Sequence, residues 1–298
     1  MQSLYSYFSI ETEDIAASQK LMLKHFNEVI ELKFVLISLL VELVNYADNF
    51  YEQAKKKHFP TSSDLDPNKK FIDNQIIHNI QNDSMLMKEI SKYSSFWLNN
   101  DHDILNKIFI DVNKSDLYNT YLDSNINNID YDKKFIVDVM NQYILNHQLV
   151  HHMLEERSIY WIDDLPFIAT IFFGDIKNDN NIFSKKVFKD LSDKNFALDL
   201  FKSVINNNIT YDNIIIKFSE NWELDRIAKM DQLIIKMAFA EIMTMESLPV
   251  KVTLNEYIEI SKYYSTKKSR VFINGLLDNF IKTYIKEGKI TKVGKGLV

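Results

Sequence analysis

Residues 221–281 read NWELDRIAKMDQLIIKMAFAEIMTMESLPVKVTLNEYIEISKYYSTKKSRVFINGLLDNFI. Apolar side chains recur at three- and four-residue spacing from Leu224 to Ile242, the period of a helix with one face in a core. Pro249 breaks that run, and Thr253 followed by Glu256 forms a capping-box pattern that predicts a second helix over Leu254 to Tyr264. The polar turn STKKS then leads into a third helix from about Arg270 to Lys286. Three helices joined by short connections predict an all-α fold.

The rest of the chain agrees. Leu36, Leu39, Leu40, Leu43, Val44, Ala47, Phe50, Tyr51 and Ala54 form one apolar stripe. It places Lys55, Lys56 and Lys57 in a last turn, where cations suit the helix dipole, before Pro60 ends the helix. TSSDLDPNKK then reads as a loop. Further helices are expected over Phe71 to Ile80, Ile104 to Val112, Phe135 to Ile144 and Phe196 to Ile205, with Asp103 and Asp193 near the starts of the second and last. Of 298 residues only five are glycine and four proline, which opposes turn-rich β architectures and phosphate-cradling loops. With 46% hydrophobic and 13% aromatic residues the chain can bury a sizeable core, and disorder is not expected.

Composition also removes function classes. No cysteine is present, so disulfides, thiolate-bound zinc, iron-sulfur clusters and a cysteine nucleophile are excluded, and a reducing cytoplasm is the expected compartment. The most apolar stretch, Val29 to Ala47, carries Glu31, Lys33 and Glu42 and is too broken by charge to span a bilayer. The N-terminus lacks the basic n-region of a secretory signal.

Possible chemistry is sparse. His147, His151 and Glu155 share one helical face with His152 beside them, but an HExxH pattern is missing and a solvated polar face is expected. Asp123, Asn125 and Asn127 imitate half of a calcium loop; Asn128 replaces its glycine and Lys134 its bidentate glutamate, so a plain polar loop is expected. Asp163 and Asp164 are adjacent and cannot both face one substrate from a helix; Asp164 ahead of Leu165 and Pro166 suits a turn or cap. No hydrolase, P-loop or Rossmann signature occurs, so neither an enzyme nor a cofactor is expected.

Charge is unevenly placed. The net −6 combines a body of −12 with a +6 segment from Pro249 to Val298, where ten Lys and Arg face four acids. Within that segment STKKSRVFING places Lys267, Lys268 and Arg270 at a helix start beside Ser269 and the aromatic Phe272. Cations and helix N–H groups suit phosphate, and an exposed ring suits a base of single-stranded RNA.

The quoted stretch resembles the C-terminal half of the NusB family of transcription antitermination factors. The likeness rests on Leu224-Asp225-Arg226-Ile227, Asp231, Ala238 to Glu241, Pro249-Val250-Lys251-Val252, Asn255-Glu256 and Phe272-Ile273-Asn274-Gly275-Leu276-Leu277-Asp278. It extends upstream to about Asp193, and QSLYSYF at Gln2 to Phe8 resembles the family's first helix. The resemblance implies an all-α bundle of two packed sub-bundles with extra inserted helices. Residues 1–190 would form a helical region, with the first family helix at 1–8 and an insertion over about 50–190. Residues 191–288 would form the RNA-binding domain and 289–298 a flexible basic tail.

The implied function is non-enzymatic and cytoplasmic: binding boxA-type single-stranded RNA of nascent ribosomal transcripts together with the NusE ribosomal protein, within the RNA polymerase antitermination complex. By position Gln2, Tyr5, Lys268, Arg270 and Phe272 would face RNA, alongside Lys267 and Ser269 of the same turn, and Asp225, Arg226 and Asp231 would meet NusE. Family members open the first helix with arginines, whereas here no basic residue precedes Lys20, which predicts either a basic segment upstream of Met1 or weaker RNA binding. A helical protein-binding scaffold without RNA contact is the alternative.

Overall fold

The computed structural model describes residues 1–10, 13–98, 103–177, 187–219, 223–290 and 292, and among them every regular element is helical. The chain divides into two compact units. One joins residues 1–24 to 188–298, and the other is 25–187, so the first helix groups with the C-terminal region and the intervening unit starts well before residue 50.

Within 25–187 the helices are the later part of α2 (Ile15–Ala54), then α3 (Ser62–Leu65), α4 (Gln75–Asn82), α5 (Ser84–Ile90), α6 (Ser94–Leu98), α7 (Ile104–Asn113), α8 (Asp116–Asp123), α9 (Ile129–Val139), α10 (Gln148–Arg157) and α11 (Trp161–Lys177). From Phe34 to Val41 every side chain of α2 is buried, so the predicted stripe is there a helix enclosed on all sides. Phe50, expected in that stripe, is 41% exposed, its ring tilted against Phe109 and edge-on to Tyr51. The buried Lys33 is held by Asp175 at 2.8 Å, which supplies the counter-charge that such a position demands.

Three local expectations change. TSSDLDPNKK is not all loop: Thr61 caps α3 in a reciprocal box with Asp64, whose carboxyl is drawn down to about 2, chiefly by Lys57. The helix expected from Phe71 starts at Gln75, because the buried Asn74 side chain accepts the N–H groups of Ile76 and Ile77. The helix expected through Phe135 to Ile144 begins earlier, at Ile129, and loosens after Val139 into a π-helical turn, Met140–Ile144. Asp103 adopts φ 47° and bonds Asn106 without capping α7.

Buried tyrosines tie this unit together. Tyr51 and Tyr118 share a hydroxyl hydrogen bond of 2.8 Å, and Tyr121 donates to the buried Asp132 at 2.7 Å. Burial pushes all three phenols above their ordinary value, and Asp132 adds to the effect at Tyr121. A phenol that holds its proton more tightly when folded stabilises the fold fully below its unfolded pKa of about 10, and that stability is lost as pH rises further. Thermal melts should therefore shift downward above about pH 10, with the buried phenols ionising only as helical ellipticity is lost. A melting temperature unchanged through that range would contradict this.

The other unit comprises α1 (Gln2–Ile10), the start of α2, α12 (Leu191–Asn206), α13 (Asn208–Phe218), α14 (Lys229–Thr244), α15 (Val250–Tyr264) and α16 (Lys267–Lys286). Its axis is α14, buried continuously from Leu233 to Ile242. Leu4 and Tyr7 anchor α1, the latter edge-on to Phe201 of α12 at 6.0 Å. Gln19 of α2 donates to the Leu198 carbonyl.

Candidate nucleic-acid interface

The predicted helix over Leu224 to Ile242 is in fact broken. Leu224–Arg226 form a 3₁₀ turn, Ile227 and Ala228 are extended, and α14 starts at Lys229. Gln232 fixes this break by donating its amide N–H groups to the Leu224 and Ile227 carbonyls. Asp225 and Arg226 are thereby left exposed, with Arg226 paired loosely to Glu223. Asp231, one helical turn on, is buried and accepts a 2.6 Å hydrogen bond from Ser265 Oγ. It ties the α15–α16 turn to the start of α14, so of the predicted trio Asp225 and Arg226 are exposed and Asp231 is not.

The expected capping box also falls away. α15 begins at Val250, after Pro249, and Thr253 lies inside it, fully buried and donating to Glu241 Oε1 at 2.7 Å. Tyr257 donates to the other oxygen at 2.9 Å, so the buried Glu241 carboxylate links α14 to α15. Burial, reinforced by that carboxylate, pushes the Tyr257 phenol well up.

α16 starts three residues earlier than the sequence suggests. Thr266 is its N-cap, its hydroxyl accepting the Ser269 N–H at 3.1 Å. Lys267 and Lys268 are exposed, Ser269 and Arg270 half-buried. Some cations of this unit are paired, Lys262 with Glu259, Lys282 with Asp278, and Lys217 and Lys289 with Glu287, while Lys194, Lys202, Lys229, Lys251 and Lys286 stand singly along their helices. Among the described residues Lys267, Lys268 and Arg270 have no such partner, which leaves three uncompensated charges within four positions at a helix N-terminus. Phe272, expected to be an open stacking ring, is partly buried.

Tyr5, on α1, lies beside a different part of α14. It lines a cleft of about 160 Å³ with Phe8, Lys229, Gln232 and Lys236. The buried Lys236 ammonium is held by Asp212 and Asn208 at 2.7 Å and lies over the Phe8 ring. At about 100° per residue the cleft residues lie roughly 100–200° round α14 from Asp231. Tyr5 and the basic turn therefore flank different faces of α14. Gln2 is half-buried at the start of α1. Lys229 was not singled out from the sequence, where nothing marks it beyond its place ahead of the apolar run.

The other sequence candidates are structural. His147 caps α10 through Nδ1, and His151 Nε2 bonds the Leu145 carbonyl beside the π turn; no metal-ligand cluster exists among the described residues. At the calcium-like loop Lys70 donates to the Ser124 carbonyl and lies over the Tyr121 and Tyr131 rings, so an internal ammonium fills the neighbourhood of that loop. Asp163 and Asp164 lie in the first turn of α11, which continues through Pro166 where a turn was expected. Of the tail, 291 and 293–298 lie outside the described residues; Lys289 pairs with Glu287, and Lys292 donates to the Met245 carbonyl at the end of α14.

Gly275 is exposed in the middle of α16, and a Cβ there would meet nothing within 4 Å. Gly275→Ala should therefore stabilise the protein by about 0.5–1 kcal/mol in denaturant melts. A destabilised variant would contradict the open space beside it.

Fold and site together define an all-helical module with a capped, uncompensated cationic turn, in a chain with no helix long and apolar enough to cross a membrane among the described residues. The NusB family model matches residues 172–282. The chain is 40% identical over 117 residues to the transcription antitermination protein NusB of Chloroherpeton thalassium, covering 39% of this chain and 56% of that protein. It is 38% identical over 110 residues to the protein of that name from Salinibacter ruber, covering 37% and 69%. Against the one from Thermodesulfovibrio yellowstonii it is 38% identical over 96 residues, covering 32% and 64%. No solved structure matches. This chain belongs to the NusB family, while spanning little more than half the length of the first of these relatives.

Proposed function

We propose that this chain is a transcription antitermination factor that binds boxA-type single-stranded RNA through the Thr266–Phe272 turn, together with a NusE-type ribosomal protein. The observation that carries this reading is the cluster of three uncompensated cations on a capped helix start, inside the segment that matches the family. Lys267, Lys268 and Arg270 hold phosphates, Ser269 and the first N–H groups of α16 add hydrogen bonds, and the partly buried Phe272 offers only part of its ring. Gln2 and Tyr5 form a second contact beside Lys229. Asp225 and Arg226 present the exposed partner contact, and Asp231 positions the turn. The molecule acts in the cytoplasm without catalysis.

Titration of labelled boxA-type RNA, alone and with the ribosomal protein, tests this: binding strengthened by the partner is expected. A protein-binding scaffold without RNA contact is favoured by one feature, the absence of any Lys or Arg from α1. It predicts partner binding with no RNA-dependent signal in either titration.

A further inference from the structure

We propose that Tyr263 is a base-stacking platform that carries the RNA track from the cationic turn onto the outer face of α15. This rests on the reading of that turn as an RNA site.

Single-stranded RNA is held by cations that follow the backbone and by open aromatic rings on which bases stack. The turn supplies the cations, but its own aromatic, Phe272, is partly buried. Tyr263, three residues before the Thr266 cap, is 75% exposed. On α15 the buried positions Thr253, Tyr257 and Ser261 follow one face, and at about 100° per residue Tyr263 falls about 160° from Ser261 and about 120° from Tyr257, off that face. Among the described residues no ring contact or hydrogen bond engages its side chain.

Its side toward the turn is cationic. Glu259, one turn back, is engaged by Lys262, the exposed Glu256 lies a further turn away on the same face, and Lys267 and Lys268 lie on the other side of a turn of two residues. That turn is held by the Ser265 bond to Asp231 and the Thr266 cap, so the ring and the cations are presented from a fixed connection. An exposed tyrosine costs little to order on binding because it has only two side-chain torsions.

The test compares wild type with Tyr263→Ala and Tyr263→Phe in titrations of a fluorescein-labelled boxA-type single-stranded RNA at several salt concentrations. Tyr263→Ala should weaken binding roughly 5- to 100-fold while leaving the salt slope unchanged, because no phosphate contact is lost. Tyr263→Phe should bind like wild type. Wild-type affinity in the alanine variant, with wild type itself binding, would overturn the stacking role and leave the proposed function standing. A phenylalanine variant as weak as alanine would also overturn it, since the hydroxyl would then be the contact. A wild-type protein that fails to bind RNA with or without the ribosomal protein would overturn the proposed function and this inference together. Circular dichroism of each variant should match wild type, as expected for a side chain so exposed.

Discussion

Phe239→Ala is expected to destabilise the family-matching unit by about 3–5 kcal/mol, comparable to much of the total stability of a small domain. Phe239 is fully buried in α14, with its ring 4.2 Å from that of Phe280 in α16 and 6.1 Å from that of Tyr211 in α13. Removing it takes away a contact shared by three helices, and the neighbouring large rings cannot all collapse into the space. Denaturant melts followed by far-ultraviolet circular dichroism would measure the loss. A cost below about 1 kcal/mol would mean that α14 is not the axis of this unit.

The second large effect is functional. Replacing Lys268 and Arg270 together by alanine should weaken boxA-type RNA binding on the order of tenfold at about 0.1 M salt and flatten the salt slope by about 1.4, two phosphate contacts at roughly 0.7 each for a single strand. Stability should hardly move, because neither cation is ion-paired among the described residues. Unchanged affinity together with an unchanged slope would remove the phosphate role from this turn. The contrast with Tyr263→Ala is diagnostic: losing a stacked ring lowers affinity without altering the slope, whereas losing a cation alters both.

The parts of the fold that local chemistry determines were legible in the sequence. Helical spacing located α7 to within a residue or so, and the start of α16 to within three. Pro249 correctly marked the break before α15. What the sequence concealed were choices made by tertiary partners. Thr253 has the look of an N-cap, but its hydroxyl is claimed by Glu241, twelve residues away on α14. The resemblance assigns Asp231 to a partner contact, yet it is buried and bonded by Ser265, thirty-four residues on. Asn74 reads as an ordinary helical position, and its burial against Tyr121 and Asp132 makes it a cap.

The candidate site shows the same division. The cations of the turn were visible as a charge cluster, because clustering is a property of neighbours in sequence. Which aromatic lies open beside them was not, because Phe272 and Tyr263 differ only in the face each helix turns to its neighbours. Grouping of residues 1–24 with 188–298 likewise depends on long-range packing, for which Leu4 and Tyr7 are anchors that a local pattern cannot assign.

The salt dependence of wild-type binding to boxA-type RNA bears most directly on the central claim, that the uncompensated cations of the Lys267–Arg270 turn hold RNA phosphates. Three such contacts to a single strand should give a slope of log K against log salt of about −2 or steeper. A slope near zero, or no binding at any salt concentration in the presence of the ribosomal protein, would contradict it.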